Sequence, residues 1–411
     1  MSEGGSDDVA IRFIQGQGKK DTGKGANMTA KTTLILGGGI GGVVAASRLR
    51  RALPREHRVV LVDRETSHIF PPSLLWLMVG LRKPEQISCA LPVLAGRGVE
   101  IVQGVVEGIN PQNRSARVNG REIKADYMIV ALGADLAPES VQGLPRAGHD
   151  FYTLPGAESL RDARLALRQG RIVILVSSMP FKCPAAPYEA AMLLEFDYRK
   201  RKLRDSVHFD VYTPEPGPMP VAGAAVSAAI RGMIEAKGIG FHPEHAVTAV
   251  DPAARRISFA NGASADFDLL AYVPPHRAPA VVRESGLLGE SGWVPVDRAS
   301  LETRVPDVYA IGDVTDIKLK GGLPLPKAGV FAHCESEVVA DNIAVEITGK
   351  GERRSFDGHG ECFIEIGDGR AGFGSGNFYA DPVPDVRLRG PNRALHLGKI
   401  AFEKYWLSGW S

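Results

Sequence analysis

Short runs of apolar residues recur along the chain, and each leads into a turn and then a helix-forming stretch. The runs at residues 34–36, 58–63 and 171–176 are almost uniformly apolar, without the alternation of a half-exposed strand. Such runs are typical of parallel strands that are covered on both faces. Helix-forming stretches follow at residues 43–53 and 189–200. The pattern predicts an α/β fold built on parallel sheets.

A glycine-rich turn lies between the first apolar run and the helix that follows it. The segment 37–42 has the form G-x-G-x-x-G, with Gly37, Gly39 and Gly42 at the three glycine positions. These glycines permit a tight turn, a close approach to a pyrophosphate and close packing of the helix on the strand. The next strand ends in Asp63, at the spacing of roughly 20 residues expected for a ribose hydroxyl acceptor. Strand, loop, helix and acid in this order predict a dinucleotide site.

The strand and helix pattern occurs twice, which divides the chain into domains. We expect two Rossmann-like, three-layer domains, with residues 270–273 and the later Gly-Asp segment returning the chain to the first, and then a C-terminal module ending in an amphipathic helix. The predicted parts are a disordered extension at 1–30, a cofactor domain at 31–135 and 266–348, a second Rossmann-like domain at 136–265 and a C-terminal module at 349–411.

Composition and charge exclude several classes of function. The chain has 411 residues, of which 44% are hydrophobic and 23% are charged, and its net charge is only +2. Nucleic-acid binding is therefore not expected, and no metal site is predicted because the four cysteines lack zinc-like spacing. No apolar run reaches about 18 residues, and the polar N-terminus lacks the pattern of a secretory signal. These features, with the C-terminal segment described below, predict a peripheral or monotopic location on the cytoplasmic side of the cell membrane.

The second phosphate-binding loop is replaced by a cysteine-containing loop. After the run at 171–176 the chain reads Ser177-Ser178-Met179-Pro180-Phe181-Lys182-Cys183-Pro184, which lacks the glycines that a nicotinamide dinucleotide requires. A loop that leaves the carboxyl end of a parallel strand points toward the ligand crevice. Lys182 beside the thiol favours the thiolate. The pattern predicts that the reductant is not a nicotinamide and that Cys183 is reactive.

Several motifs together resemble one family of flavoproteins. They are the strand 127–134, which carries Ala131 and Gly133; Gly312-Asp313; Pro326-Lys327 shortly after it; Cys183 and its proline; and the late Cys362. This set resembles the sulfide:quinone oxidoreductases and the related flavoprotein subunit of flavocytochrome c sulfide dehydrogenase. The likeness covers residues 32–411.

The resemblance implies a cofactor and a set of site residues. It implies that FAD is bound by Gly37, Gly39, Gly42, Asp63, Arg64, Val106, Ala131, Gly133, Gly312, Asp313 and Lys327. It also implies that Cys183 and Cys362 cycle between disulfide, persulfide and thiolate on one face of the flavin, with Lys327 beside the isoalloxazine. Glu189 is a candidate proton relay near Cys183, although an acid in the first turn of a helix is equally explained by the helix dipole.

The last segment of the chain predicts a helix that lies at an interface. Phe402, Trp406 and Trp410 recur every four residues, with Lys399 and Lys404 among the polar positions. Aromatic and basic residues in this arrangement suit the membrane surface, and a helix docked on its own core or on another subunit is the alternative. The expected partners are therefore sulfide, quinone and the membrane surface, and a homo-oligomer is compatible with the same pattern.

The sequence differs from the family in one respect, and it leaves three alternative functions open. Many family members have a third cysteine that residues 131–182 lack, so growth or release of the sulfur chain is expected to differ. A type II NADH dehydrogenase shares the fold, but the loop at 176–180 disfavours it. A sulfide dehydrogenase that donates to a cytochrome c and a flavin-bound module without turnover are the other two alternatives.

Overall fold

The structure is a computed structural model that describes residues 29–408. Most of the predicted extension at 1–30 lies outside these residues, as does Trp410. The helices, in chain order, are α1 (Ile40–Ala52), α2 (Leu74–Met78), α3 (Leu144–Ala147), α4 (Leu154–Ala166), α5 (Ala186–Lys200), α6 (Ala224–Glu235), α7 (Ala280–Arg283), α8 (Gly329–Thr348) and α9 (Arg393–Ser408).

Two parallel five-stranded sheets form the framework. The first sheet has the spatial order Val308–Ala310, Tyr127–Val130, Thr32–Leu36, Arg58–Asp63, Glu100–Gln103. The second has the order His149–Asp150, Leu269–Val273, Gly170–Val176, Val207–Tyr212, Gly240–His242. The central strands are apolar on both faces because helices cover one face and a three-stranded antiparallel sheet covers the other. Residues 34–36 and 172–176 are fully buried. The predicted α/β fold with two Rossmann-like domains is confirmed.

Smaller sheets complete the structure. Three are antiparallel and three-stranded: Val106–Asn110, Ser115–Val118 and Arg121–Lys124; Val247–Asp251, Arg256–Phe259 and Ser264–Asp266; and His359–Glu365, Ala371–Asn377 and Asp385–Asn392. Two are short antiparallel pairs, Ser67–Ile69 with Ser88–Ala90 and Asp135–Leu136 with His276–Arg277. Val294–Pro295 and Thr315–Asp316 form a short parallel pair. The third of the three-stranded sheets leads into α9 and carries Cys362.

One predicted chain path is wrong. Residues 270–273 were expected to return the chain to the first sheet, but Leu269–Val273 is the strand beside Gly170–Val176 in the second sheet. A fully apolar strand carries no mark of the sheet to which it belongs, since either parallel sheet would bury both of its faces. The chain returns to the first sheet only with Val308–Ala310.

The C-terminal helix α9 packs on its own chain. Lys399, Glu403 and Trp406 are at most 6% exposed, whereas Phe402 is 42% and Tyr405 58% exposed. The placement of Lys399 on the polar side of the helix is therefore wrong, because its ammonium group has a buried carboxylate partner on α5. Within residues 29–408, no helix has the length and apolar character needed to cross a membrane.

Candidate active site at the edge of the first sheet

The glycine turn has the geometry of a phosphate-binding loop. Gly37 has a φ of +105° and lies so close to the Ala131 carbonyl that a Cβ there would be 2.4 Å from its oxygen. A Cβ on Gly42 would be 1.7 Å from the Gly37 carbonyl oxygen, so this helix position requires glycine. At Gly39, by contrast, a Cβ would meet no atom within 4 Å. The N-terminus of α1 therefore opens onto free space, where its amides could bind an anion.

The predicted ribose acceptor lies directly beside this turn. The Asp63 carboxylate accepts hydrogen bonds from the backbone N–H of Gly38 and, at 2.7 Å, from that of Glu65. Arg64 is exposed, with its guanidinium 3.2 Å from the Glu65 carboxylate. Val106 is half-buried and begins a strand shortly after Gly104, whose N–H donates to the Asp63 carbonyl at 2.8 Å. Asp63, Arg64 and Val106 thus lie in one region, next to the glycine turn.

The Gly-Asp motif and Lys327 meet at the same edge of the sheet. Directly after the strand Val308–Ala310, the Ile311 N–H donates a hydrogen bond of 3.1 Å to the Val130 carbonyl. Gly312 therefore lies beside the end of the strand Tyr127–Val130. The buried Lys327 ammonium donates to the carbonyls of Asp313 and Thr315, at 2.7 Å and 2.9 Å. Gly133, which was also predicted to bind FAD, has a φ of +65°, and a Cβ on it would meet no atom within 4 Å.

Burial changes the protonation equilibria of this group of residues. Desolvation lowers the pKa of Lys327 to about 8, although Asp313 opposes the change. Desolvation also raises the pKa of the Asp313 carboxyl, against the charges of Lys182 and Lys327. The Lys327 ammonium lies 3.6 Å from the centroid of the Trp293 ring, a further favourable contact for the cation.

Cys183 is joined to the Lys327 loop by backbone contacts. Its N–H donates to the Lys327 carbonyl at 2.6 Å, and Lys182 forms a parallel bridge with Lys327. Cys183 has a φ of +52°, an uncommon conformation for a residue with a side chain. The Ala186 N–H, in the first turn of α5, donates to the Cys183 carbonyl at 2.9 Å. The loop that carries Cys183 is therefore held between α5 and the Gly-Asp side of the site.

Glu189 connects the helix that follows Cys183 with the strand that carries Cys362. The buried Glu189 carboxylate on α5 accepts a hydrogen bond at 2.7 Å from the N–H of Glu365, on the strand that carries Cys362. All four cysteines of the chain are free thiols in the structure. Desolvation raises the pKa of Cys362 to about 12, with Glu189 contributing. Desolvation also raises the pKa of Cys183, and the next contribution comes from Cys362. The expectation that Lys182 favours the thiolate is therefore wrong, because burial dominates this pKa and Lys182 is not among the groups that act on it.

A buried charge cluster beside the thiols was not predicted as such. The Lys399 ammonium on α9 lies 2.9 Å from a carboxylate oxygen of Glu189, and His396 Nδ1 lies 2.7 Å from one of Glu365. The positive charge of Lys399 opposes the rise in pKa at both cysteines. The only sequence signal was the spacing of His396 and Lys399, which places both on one side of a helix. Such a spacing does not reveal which side is buried.

Helix α9 is also linked to the glycine turn through His68. His68 is buried, with Nδ1 3.0 Å from the Gly38 carbonyl oxygen, and its Nε2 accepts a hydrogen bond from Trp406 Nε1 at 3.1 Å. A carbonyl accepts only and an indole N–H donates only, so His68 is neutral with its proton on Nδ1. Burial lowers the pKa of His68, which favours this neutral form. The C-terminal helix therefore connects both ends of the candidate site.

Comparisons with known proteins identify the family. Residues 31–331 match the model of the pyridine nucleotide-disulphide oxidoreductase family. The mitochondrial sulfide:quinone oxidoreductase of Mus musculus is 26% identical over 87% of this chain and 81% of its own length, and the sulfide-quinone reductase of Aquifex aeolicus is 28% identical over 92% and 90%. The crystal structure of the sulfide:quinone oxidoreductase from Aquifex aeolicus superposes with a TM-score of 0.84, at 25% identity, over 93% of this chain and 91% of that one.

These matches confirm the resemblance that the motifs predicted. They also imply a flavin cofactor, because the matched family and the sulfide:quinone oxidoreductases are flavoproteins. The family model covers well over half of the residues, from the first strand of the first sheet into α8. The chain therefore belongs to the pyridine nucleotide-disulphide oxidoreductase family.

Proposed function

We propose that this protein oxidises sulfide to polysulfide or sulfur through Cys183 and Cys362, with FAD as the cofactor and a membrane quinone as the electron acceptor. The observation that carries the proposal is the meeting of two thiols, separated by 178 intervening residues, beside Lys327 and the Gly-Asp motif. Glu189 links the elements that carry them. The similarity to sulfide:quinone oxidoreductases over most of the chain supports the same conclusion.

The residues at the edge of the first sheet fit a flavin dinucleotide. Space is open above Gly39 at the N-terminus of α1, where a pyrophosphate would find backbone donors. Asp63 retains carboxylate lone pairs for ribose hydroxyls, since each oxygen can accept more than one hydrogen bond. Asp313 and Lys327 lie toward the cysteine side, where the redox-active part would be placed. When bound, FAD would supply the two-electron acceptor and donor chemistry that side chains lack.

The cysteine pair can perform the sulfur chemistry by thiol exchange. With the two cysteines joined as a disulfide, hydrosulfide attacks one sulfur and breaks the S–S bond, leaving a persulfide on Cys183 and a thiolate on Cys362. The thiolate carries the negative charge of the incoming hydrosulfide. Burial disfavours this charge, as the raised pKa of Cys362 shows, and the Lys399 ammonium stabilises it.

Two further side chains have roles in this proposal. Glu189 is placed to hold or release a proton near the thiols, because its carboxylate acts on the pKa of both cysteines. Lys327 is placed to stabilise negative charge that develops at the cofactor, since its ammonium is buried and pointed at the Asp313 carbonyl. Both roles require a fixed geometry, which the buried hydrogen bonds provide.

The second Rossmann-like domain does not offer a nicotinamide site. Glu215 follows the second strand of its sheet, at the place where such domains hold a ribose with an acid. Its carboxylate is buried and already accepts hydrogen bonds from the hydroxyls of Tyr188 and Thr213. The loop at 177–180 contains serine, methionine and proline in place of glycines. These features disfavour the alternative of a type II NADH dehydrogenase.

The sulfide and NADH hypotheses make opposite predictions for flavin reduction. On anaerobic mixing in a stopped-flow instrument, hydrosulfide is expected to bleach the flavin absorbance rapidly, whereas NADH at the same concentration leaves it unchanged. The substitution Glu215→Gln removes the buried carboxylate from the second domain. It should not make NADH reduce the flavin, because the phosphate-binding glycines are still missing. Bleaching by NADH alone would reject the proposal in favour of the dehydrogenase. Bleaching by neither donor would favour a module without turnover.

The outer side of α9 supports contact with a membrane surface. Leu397, Phe402 and Tyr405 are 63%, 42% and 58% exposed, while the opposite side of the helix is anchored by Glu403 and Trp406. Exposed aromatic and aliphatic side chains on a firmly docked helix suit the headgroup region of a bilayer. A quinone dissolved in the bilayer would then reach the protein at the helix that carries Lys399, whose charge acts on the Cys362 thiol.

Removing the exposed aromatic side chains is expected to weaken membrane binding. The double variant Phe402→Ser/Tyr405→Ser should lower the partition coefficient into vesicles by about tenfold or more, since each buried apolar side chain contributes on the order of 1.5 kcal/mol. Sedimentation with phospholipid vesicles measures the bound fraction. Val105→Ser is the matched control, because Val105 is also 58% exposed but lies outside α9. Equal binding of the double variant and the control would contradict the membrane proposal.

A further inference from the structure

A buried carboxylate on α8 has no role in the mechanism described above. Glu335 is 1% exposed, and its Oε2 accepts a hydrogen bond of 2.6 Å from the backbone N–H of Gly312. Among residues 29–408, no ion pair shorter than 4 Å involves this carboxylate. Burying an acid without a charged partner costs free energy of folding. A functional role for Glu335 would explain why the protein carries this cost. The hydrogen bond places the acid directly behind the Gly-Asp motif.

The groups that face Glu335 come from several elements. Asp313 lies on the Gly-Asp loop, Lys327 on the loop before α8, Tyr379 after the strand Ala371–Asn377, and Cys334 is adjacent on α8; each interacts electrostatically with Glu335. Desolvation raises the pKa of Glu335 to about 8, and the negative charge of Asp313 adds to the rise. Lys327 opposes it. Glu335 therefore responds to any change in charge at this end of the site.

We propose that Glu335 is a positioning residue of the cofactor site that binds a proton when the site gains negative charge. The inference rests on the proposed flavin, because the negative charge that acts on Glu335 is the one that the flavin gains on reduction. The carboxylate holds the Gly312 N–H and thereby fixes the backbone that presents Asp313. Its buried position, close to Asp313 and Lys327, couples its protonation to the same charge.

The proton exchange is balanced without any further reactant. On reduction of the bound cofactor, the reductant would supply two electrons, and the carboxylate of Glu335 would take one proton from solvent to become a carboxylic acid. No bond to the cofactor forms or breaks at Glu335. The hydrogen bond from Gly312 persists in both states, because a neutral carboxyl group still has an acceptor oxygen.

The pH range of the effect follows from the direction of the pKa shift. Below about pH 8 Glu335 is already protonated before reduction, so reduction adds no proton to it. Above about pH 8 it is ionised in the oxidised protein, and the added negative charge draws a proton onto it. Lys327, whose pKa is lowered to about 8, can take up its own proton in the same range. Only a variant that changes Glu335 and keeps Lys327 separates proton uptake by Glu335 from proton uptake by Lys327.

The test is a potentiometric titration of the purified flavoprotein with dithionite at several pH values from about 6 to about 10. Above about pH 8, the slope of the flavin midpoint potential against pH should indicate about one proton more per two electrons in the natural protein than in Glu335→Gln. Below about pH 7 the two slopes should agree. Glu337→Gln is the matched control, because Glu337 lies two residues further along α8 and is paired with Arg48 at the surface. It should retain the natural slope.

A second variant tests the positioning role. Glu335→Ala leaves the Gly312 N–H without its acceptor and should weaken cofactor binding about tenfold, whereas Glu335→Gln, which keeps an acceptor oxygen, should bind the cofactor as the natural protein does. Identical slopes in the natural protein and Glu335→Gln across the whole pH range would overturn the proposal. Because dithionite is the reductant, this result is independent of whether sulfide is the donor.

Discussion

Flavin reduction by hydrosulfide is expected to slow by at least about 1000-fold when either Cys183 or Cys362 is replaced by serine. A loss of this order follows the removal of a nucleophile in enzymes that use covalent catalysis. Serine preserves the size of the side chain but cannot form the disulfide that hydrosulfide attacks. Anaerobic stopped-flow absorbance measures the rate constant. Both variants should retain their flavin, since neither thiol contributes to the glycine turn.

The matched control for this experiment is Cys89→Ser. Cys89 is half-buried on the short strand Ser88–Ala90, and its thiol is not among the groups that shift the pKa of Cys183 or Cys362. The control should reduce its flavin at the natural rate. If Cys183→Ser and Cys362→Ser kept more than about one tenth of that rate, the two thiols would not be the route of the electrons. If only one of them lost activity, the exchange between paired cysteines would be contradicted.

Replacing Lys399 with methionine is expected to destabilise the protein by about 3–5 kcal/mol. Removing one partner of a buried ion pair leaves the other charge without compensation, which is more costly than losing the pair as a whole. Here the remaining charge is the Glu189 carboxylate, which is 2% exposed and, among residues 29–408, keeps only the hydrogen bond from the Glu365 N–H. Urea unfolding followed by tryptophan fluorescence measures the change in the free energy of unfolding.

Two further variants separate the ion pair from general effects on α9. Lys404→Met makes the same chemical change on an exposed side chain of the helix and should change the free energy of unfolding by less than about 0.5 kcal/mol. The double variant Glu189→Gln/Lys399→Met removes the uncompensated charge, so it should be more stable than Lys399→Met alone. A Lys399→Met protein as stable as Lys404→Met would show that the pair does not anchor the helix.

The local motifs were predictable because each depends on a few consecutive residues. The fully apolar strands, the turn at Gly37–Gly42, the strand end at Asp63 and the Gly-Asp turn after Val308–Ala310 lie where the sequence placed them. A glycine in a turn of positive φ or close packing constrains its own position, so Gly37 and Gly42 can be recognised without the fold. The assignments of individual residues to FAD stay predictions.

The sequence did not predict the sheet to which Leu269–Val273 belongs, and it did not predict that Lys399 is buried. The strand was assigned to the wrong sheet, because nothing within five apolar residues distinguishes two sheets that are both buried. Lys399 was placed on the polar side of α9, because lysine is rarely buried without a partner. Its partner Glu189 is 210 residues away in the chain, and no spacing within the helix indicates it.

By itself the sequence determined the α/β class, the dinucleotide turn and the presence of a cysteine where a second such turn would stand. Each of these is encoded in one continuous segment, through hydrophobic pattern, glycine geometry or side-chain type. Only the tertiary structure decided that the Cys183 and Cys362 thiols come within electrostatic range of each other and that Glu189 and Lys399 form a buried pair that acts on both. It also decided that Glu335 lies behind the Gly-Asp motif. Such contacts join distant segments, and their energies depend on burial, which is a property of the folded chain alone.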